Sequence, residues 1–173
     1  MTLVGHTLTG MAIGVCLLPS PLRSRQGMVG VLFCGVLANL PDLPVHGWGH
    51  DAYHVSHSIF VNLGLGVIAW TLIHFGRHLA NVDVSARLQL AGLFAWMSHF
   101  LLDTFYSHGK GVRLFWPVSD ARLALPIPVF DTLGGWPPAM NGHTARVFGI
   151  ELAAYGVLLG AVCFMRWTRK SAT

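Results

Sequence analysis

The stretch ARLQLAGLFAWMSHFLLDTFY, residues 86–106, decides the class of fold. It runs from Arg87 to Asp103 without a charged residue between them. A bilayer core of ~30 Å needs ~20 mainly apolar residues in a helix, so this stretch predicts a helix in a membrane-embedded bundle. His99 and Asp103, near its end, are four positions apart and therefore project from one helical face.

Apolar runs elsewhere extend this pattern to five helical segments, at roughly 5–18, 27–40, 56–75, 86–106 and 146–167. The third lies in a stretch without Asp, Glu, Lys or Arg from Ala52 to Gly76, long enough to span a bilayer. The first two are shorter than ~17 residues, so we expect them to be tilted, extended by flanking polar residues or partly inserted. The prediction is one all-α integral membrane domain over residues 1–173. It is a helical bundle of about five segments with a long connection, residues 107–144, between segments 4 and 5.

The composition supports a membrane protein and excludes several other classes. Charged residues make up 10% of the chain, against about 25% in soluble domains, and the mean hydropathy is +0.57. These values exclude a disordered chain, a coiled coil and a disulfide scaffold. The eleven Lys and Arg form no long block, so nucleic acid is not a favoured partner and membrane lipid is the expected one. The sequence does not indicate an oligomeric state.

The basic residues predict an orientation. With alternating spans, seven of them fall on one face: Arg23, Arg25, Arg77, Arg87, Arg166, Arg169 and Lys170. The positive-inside rule places that face in the cytoplasm and the N-terminus outside. We expect the chain in the cell (inner) membrane of a bacterium or archaeon.

Histidines and acids gather on the opposite, outer face. Eight of the ten histidines fall there: His6, His46, His50, His54, His57, His99, His108 and His143. Five of the seven acids do so too: Asp42, Asp51, Asp103, Asp120 and Asp131. Ionisable residues at membrane depth are costly, so this concentration indicates a functional site that faces outward.

Five of these residues lie where segments begin or end. His6 opens segment 1, Asp42 closes segment 2, His57 opens segment 3, and His99 and Asp103 close segment 4. An up-and-down bundle brings these ends to one side. Imidazole with carboxylate is the ligand mix of Zn²⁺ or another first-row divalent metal, so these five are predicted to bind metal. Each of them alone also fits a structural role, and the prediction rests on their joint placement.

A further histidine ladder precedes the third segment. His46, His50, His54 and His57 follow one another at spacings of four, four and three. Glycines at 47 and 49 argue against a regular helix, so we expect a loop with one or two further ligands. His54 is the favoured one, being one turn from His57.

Several short motifs carry a family resemblance. They are Gly5-His6, Leu40-Pro41-Asp42, Ser56-His57-Ser58 and Ser98-His99-x3-Asp103, followed by glycines at 109 and 111, Leu114-Phe115-Trp116-Pro117, Arg122 and Leu125-Pro126-Ile127. Together they resemble the predicted membrane-bound metal-dependent hydrolases of the YdjM-like family, over most of the chain to about residue 130. Pro44 and Ala52 depart from that family's pattern, where a second acid and a His-Arg pair are usual.

The ligand order is also similar to that of the all-helical zinc phospholipases C and related zinc nucleases. This likeness implies that Asp42, His57, His99 and Asp103 hold one metal, and that His6 shares Asp103 with a second. A third site would need a later His-x3-Asp pair, but His143 is followed by Val147. We therefore expect one or two divalent ions, with zinc favoured.

The resulting hypothesis is metal-assisted hydrolysis, with a lipid phosphoester favoured by the location of the site. His54 or His108 is a candidate for proton transfer. Lys110, Arg113 and Arg122 are candidates for phosphate binding, although contact with lipid headgroups explains them equally well. The long connection is expected to cover the site.

Two rival hypotheses remain open from the sequence. One is a non-enzymatic metal-binding membrane protein, either a transporter or a metal-dependent structural subunit. The other is a b-type haem protein with paired axial histidines, which leaves Asp42 and Asp103 unexplained.

Overall fold

The fold is described from a computed structural model, which covers residues 2–49, 52–80, 84–106, 111–133 and 138–171. The helices are α1 (Leu3–Leu17), α2 (Arg25–Leu37), α3 (Tyr53–Ser56), α4 (Ile59–Ala80), α5 (Ala86–Asp103) and α6 (Gly142–Ser171), with a 3₁₀ turn over Leu40–Asp42 after α2. The predicted all-α architecture is confirmed.

Local sequence signals set the first helix boundaries. Thr2 caps α1 by accepting a hydrogen bond from the Val4 backbone N–H, and Ser24 caps α2 in the same way through Gly27. Beyond α1, Leu18 is already extended because it precedes Pro19, and a proline disfavours helical geometry in the residue before it.

Other boundaries differ from the predicted ones. The third segment, predicted from residue 56, begins at Ile59, because the short helix α3 ends at Ser56 and the chain turns at His57. The fourth ends at Asp103 instead of 106, and the fifth covers Gly142–Ser171 instead of 146–167. The connection between α5 and α6 is therefore slightly shorter on its C-terminal side than predicted.

The core lies between α1, α2, α5 and α6. Its buried side chains are small: Val15, Leu18, Val31, Cys34, Ala91, Ala95 and Val162. Glycines let α1 approach α2 closely, because a Cβ at Gly10 would lie 2.4 Å from the Cys34 carbonyl oxygen. Close packing through small residues is typical of helix pairs in membranes.

Helix α4 lies at the edge of this bundle with most of its apolar side chains exposed, among them Leu63, Val67, Ile68 and Trp70. Two helical stretches are long and apolar enough to cross a membrane, Ile59–Gly76 and Gly142–Thr168, while α1 and α2 are shorter apolar helices. Exposed aliphatic surface of this extent suits a lipid environment better than water.

Candidate metal centre

The alternating directions of the helices bring five predicted ligands to one end of the bundle. His6 lies in the first turns of α1, Asp42 ends the 3₁₀ turn after α2, and His57 follows α3 directly. His99 and Asp103 lie one turn apart at the end of α5. All are buried except Asp42, which is partly exposed.

Asp103 is in contact with three imidazoles. Its Oδ1 lies 3.2 Å from His6 Nε2, and its Oδ2 lies 3.3 Å from His57 Nε2 and 3.4 Å from His99 Nε2. The Tyr53 hydroxyl lies 3.5 Å from the same Oδ2. One carboxylate therefore joins ligands that come from three different parts of the chain.

Asp42 approaches the same imidazoles. Its Oδ1 is 3.3 Å from His57 Nε2 and 3.8 Å from His99 Nε2, and the two Nε2 atoms are 3.2 Å apart. The ligand atoms form two groups, and within each group all of them lie within 4.8 Å of one another. One group is His6, Asp42 and His99, and the other is His57, His99 and Asp103. His99 belongs to both groups, but its Nε2 can bind one ion at a time; a second, adjacent ion would need Asp103 as the bridge, whose Oδ1 faces His6 and whose Oδ2 faces His57 and His99.

Contacts behind two of the imidazoles orient their Nε2 atoms. His99 Nδ1 lies 2.8 Å from the Ala38 carbonyl oxygen, which can only accept a hydrogen bond, so this nitrogen carries the proton. His57 Nδ1 lies 2.8 Å from Ser56 Oγ, which in turn donates to the Gly49 carbonyl at 3.1 Å. Both Nε2 lone pairs therefore face the centre in the neutral rings, as in metal-ligating histidines held by outer partners.

The centre attracts positive charge. Burial by itself lowers the pKa of the His57 imidazole, but hydrogen bonds to Asp103 and Asp42 outweigh burial and raise this pKa. His6 Nδ1 has no hydrogen-bond partner within the described part of the chain, and its ring stacks on His99 with centroids 3.7 Å apart. One buried and one partly exposed carboxylate, with the inward lone pairs of His57 and His99 and the imidazole of His6, fit a divalent cation, which would balance the two negative charges.

The turn that carries His57 is held by a residue that our sequence reasoning missed. Asn62, fully buried on α4, donates to the carbonyls of Ser56 and Ser58 at 2.7 and 2.8 Å, one on each side of His57. Its Oδ1 accepts a hydrogen bond from Trp96 Nε1 of α5 at 3.0 Å. A single amide in the otherwise apolar first half of α4, residues 59–70, was the available signal, because a buried amide needs partners.

A cavity of about 280 Å³ adjoins the centre and is lined by Tyr53, His54, Arg113 and Arg122. Tyr53 connects this cavity to the metal centre, since its ring also stacks on His57 with centroids 3.7 Å apart. Burial raises the pKa of the Tyr53 hydroxyl, as does the nearby Asp103 carboxylate, so the hydroxyl stays protonated and can donate.

The two arginines are brought together by a short antiparallel contact in the α5–α6 connection. Val112 and Leu123 exchange both of their backbone hydrogen bonds, each 2.9 Å, so Arg113 and Arg122 are the next pair and lie opposite each other on one face of the ribbon. Arg113 pairs with Asp120 at 3.3 Å, and its buried Nε has no hydrogen-bond partner among the described residues. Like charges opposite one another are destabilising, and an anion between them would relieve the repulsion.

The remaining predicted residues lie elsewhere. His108 and Lys110 are outside the described residues, as is His50. His46 is exposed and belongs to neither group of ligand atoms. His143 is exposed beside Asp131, at 3.9 Å, and the Thr132 carbonyl.

The fold and the site define an all-α, membrane-type protein with a buried His/Asp centre that can hold a metal ion. The chain belongs to the YdjM inner membrane protein family, whose family model matches residues 1–170. The predicted family is confirmed, and the match reaches beyond residue 130 to include α6. Comparisons with curated proteins and with solved structures give no match.

Proposed function

We propose that this chain is a membrane-bound metal-dependent hydrolase that cleaves a phosphoester at the outer face of the inner membrane. The observation that carries the proposal is the convergence of Asp42 and Asp103 with three histidines, beside a cavity lined by two arginines. Metal ligands next to a cavity lined by anion-binding groups are the combination that phosphoryl chemistry requires.

The metal ligands are His6, Asp42, His57, His99 and Asp103, and zinc is the favoured ion because the set mixes imidazole with carboxylate. A divalent cation at this position supplies Lewis-acid polarisation of a phosphoryl oxygen and a water of lowered pKa. The two oxygens of Asp103, one facing His6 and the other His57, support one ion or two bridged ions.

The cavity residues have separate roles in the proposed reaction. Arg113 and Arg122 bind the phosphate oxygens and offset the charge that builds up in the transition state. The oxygen of water adds to phosphorus, the bond from phosphorus to the ester oxygen breaks, and the leaving alcohol takes a proton. His54, which lines the cavity and meets the edge of Trp116 at 5.0 Å between ring centroids, carries protons between water and alcohol.

The orientation of the site follows from the distribution of charge. Arg23, Arg25 and Arg166 lie at the end of the bundle opposite the centre, where α1 and α6 end and α2 begins. Cationic residues concentrate on the cytoplasmic side of membrane proteins, so the centre faces outward.

The second candidate, a non-enzymatic metal-binding protein or transporter, would need a path from the centre to the other end of the bundle. Val15, Val31 and Cys34 pack as an apolar core in that direction, which supports a closed site instead. A haem site is disfavoured because the rings of His6 and His99 are stacked at 3.7 Å, which leaves no room for a porphyrin between them.

The test is metal analysis of the purified protein together with a phosphoester hydrolysis assay. We expect stoichiometric zinc and turnover in the wild type, and loss of both in His99→Ala and in Asp103→Ala. His143→Ala is the matched control, because this exposed histidine lies outside both groups of ligand atoms and should change neither quantity.

Two results would contradict the proposal. Metal retained in both ligand variants would remove the assigned ligands. Stoichiometric metal without turnover of any phosphoester would favour the non-enzymatic alternative.

A further inference from the structure

The α5–α6 connection presents an apolar strip to the outside. Leu125 and Ile127 lie on an extended segment and Val129 lies in the turn that follows it; their exposed fractions are 54%, 38% and 53%. At ~3.3 Å per residue, the extended part from Leu125 to Ile127 is about 7 Å long. Its near end lies three residues beyond Arg122, which lines the cavity beside the centre.

The backbone of this strip is suited to lipid. Leu125 and Ile127 donate their N–H groups to the Thr104 and Phe105 carbonyls at 2.7 and 2.9 Å. The residues between and after them, Pro126 and Pro128, have no N–H to satisfy. Every backbone donor from 125 to 128 is therefore paired or absent, which removes one cost of placing this segment at the membrane surface.

The strip is also fixed next to the metal centre. Thr104, which accepts the Leu125 hydrogen bond, directly follows Asp103. The apolar surface of the helices extends to the same level, since Leu101 of α5 and Phe60 of α4 are 61% and 46% exposed, within three residues of Asp103 and His57. Exposed apolar side chains of the helices therefore lie within one helical turn of the centre beside which the strip is fixed.

We propose that residues 125–129 bind the hydrocarbon chain of a membrane lipid whose phosphate enters the cavity between Arg113 and Arg122. The substrate is then a lipid phosphoester that reaches the site from the bilayer, and a water-soluble ester of the same headgroup lacks the chain that this strip binds. This inference rests on the proposed hydrolase function and names its substrate class.

The experiment compares matched substrates with the zinc-loaded, full-length protein. Dioleoyl phosphatidic acid and dioleoyl phosphatidylglycerol are presented in mixed vesicles, and glycerol 3-phosphate and glycerophosphoglycerol serve as their counterparts without tails. We expect kcat/KM for at least one of the lipids to exceed that of its counterpart by at least about tenfold, the scale of a few buried methylene groups.

Two variants connect the preference to the strip. Leu125→Asn with Val129→Asn should lower kcat/KM for the lipid about tenfold while zinc content and turnover of the counterpart stay unchanged. Val129→Asn alone, at the end of the strip farther from Asp103, repeats the test with a smaller change to the fold. Leu22→Asn, an exposed apolar residue in the α1–α2 connection, is the matched control and should have no effect.

The outcomes separate the two proposals. Turnover of the substrates without tails at the same efficiency as the lipids would overturn the lipid inference and leave the hydrolase standing. Equal loss for both kinds of substrate in the strip variants, with zinc retained, would also overturn it. No hydrolysis of any of the four esters by zinc-loaded protein would count against the hydrolase itself, and the lipid inference would fail with it.

Discussion

Replacement of Asn62 by Leu should weaken zinc binding, although Asn62 is not a ligand. Its amide holds the Ser56 and Ser58 carbonyls on both sides of His57, and Trp96 holds the amide. Without these hydrogen bonds, the His57 imidazole loses its fixed position 3.2 Å from His99. Loss of such outer-shell support typically costs about 10–100-fold in metal affinity, or about 1.4–2.8 kcal/mol.

The same substitution should lower the free energy of unfolding. Ser56 O and Trp96 Nε1 each lose the hydrogen bond that Asn62 makes, whereas Ser58 O keeps the backbone N–H of residue 62, at 3.1 Å. Two buried groups left without these partners cost about 1–3 kcal/mol each, so the expected loss is about 2–6 kcal/mol. Trp96→Phe removes the indole donor but keeps both hydrogen bonds from Asn62 to the turn, so it should give a smaller loss of zinc affinity.

The assay separates support of the ligand from general destabilisation. Zinc affinity is measured by chelator competition, and thermal unfolding is followed in detergent without metal. Arg166→Gln is the control, because Arg166 donates to the Val15 and Leu18 carbonyls at the end of the bundle away from the zinc ligands. Val15 is nine residues after His6 in α1, which at 1.5 Å per residue is about 14 Å. We expect both Asn62→Leu and Arg166→Gln to be destabilised, but only Asn62→Leu to bind zinc more weakly. An Asn62→Leu protein that binds zinc within twofold of the wild type would refute the reasoning.

Four further results are expected. Removal of zinc by a chelator should lower the unfolding free energy by about 4 kcal/mol relative to zinc at 1,000 times its Kd, measured by thermal unfolding and reversed by added zinc. Arg122→Gln should raise KM for a phosphoester about tenfold with zinc content unchanged, and a normal KM would exclude the assigned contact. Gly111→Ala should destabilise by about 1–3 kcal/mol in thermal unfolding, because φ is +77° there and a Cβ would lie 2.7 Å from the Leu123 carbonyl oxygen. In a variant that lacks the three native cysteines, His46→Cys should react with a membrane-impermeant maleimide added outside intact cells, and Leu22→Cys should not. The reverse labelling pattern would invert the proposed orientation.

The bundle was predictable because its signals are local. Runs without charge mark the helices, and prolines mark where α1 and α2 end. The position of His57 relative to the helices was not predictable, since residues 53–56 continue the same uncharged run. The break between α3 and α4 is held by the Asn62 amide and by the Ile59 N–H, which donates to the Leu114 carbonyl of the α5–α6 connection at 2.9 Å.

The juxtaposition of the five ligands was predictable from one assumption, that consecutive helices alternate in direction. The arginines of the cavity illustrate the limit of this approach. Arg113 and Arg122 are nine residues apart in an irregular connection, and the pairing of Val112 with Leu123 brings them opposite each other on neighbouring segments. No periodic pattern in the sequence encodes that register.

Packing in the middle of the bundle determines the geometry at its end. Because Gly10 and Gly14 let α1 lie against Cys34 and Val31, the end of α2 comes close enough to α1 for Asn39 to donate to Thr7 Oγ1 at 3.0 Å. The carbonyl of the preceding residue, Ala38, then accepts a hydrogen bond from His99 Nδ1 of α5. A larger residue at position 10 would separate α1 from α2 and withdraw His6 from Asp103 without touching any ligand. The buried centre therefore depends on small residues that carry no chemistry of their own.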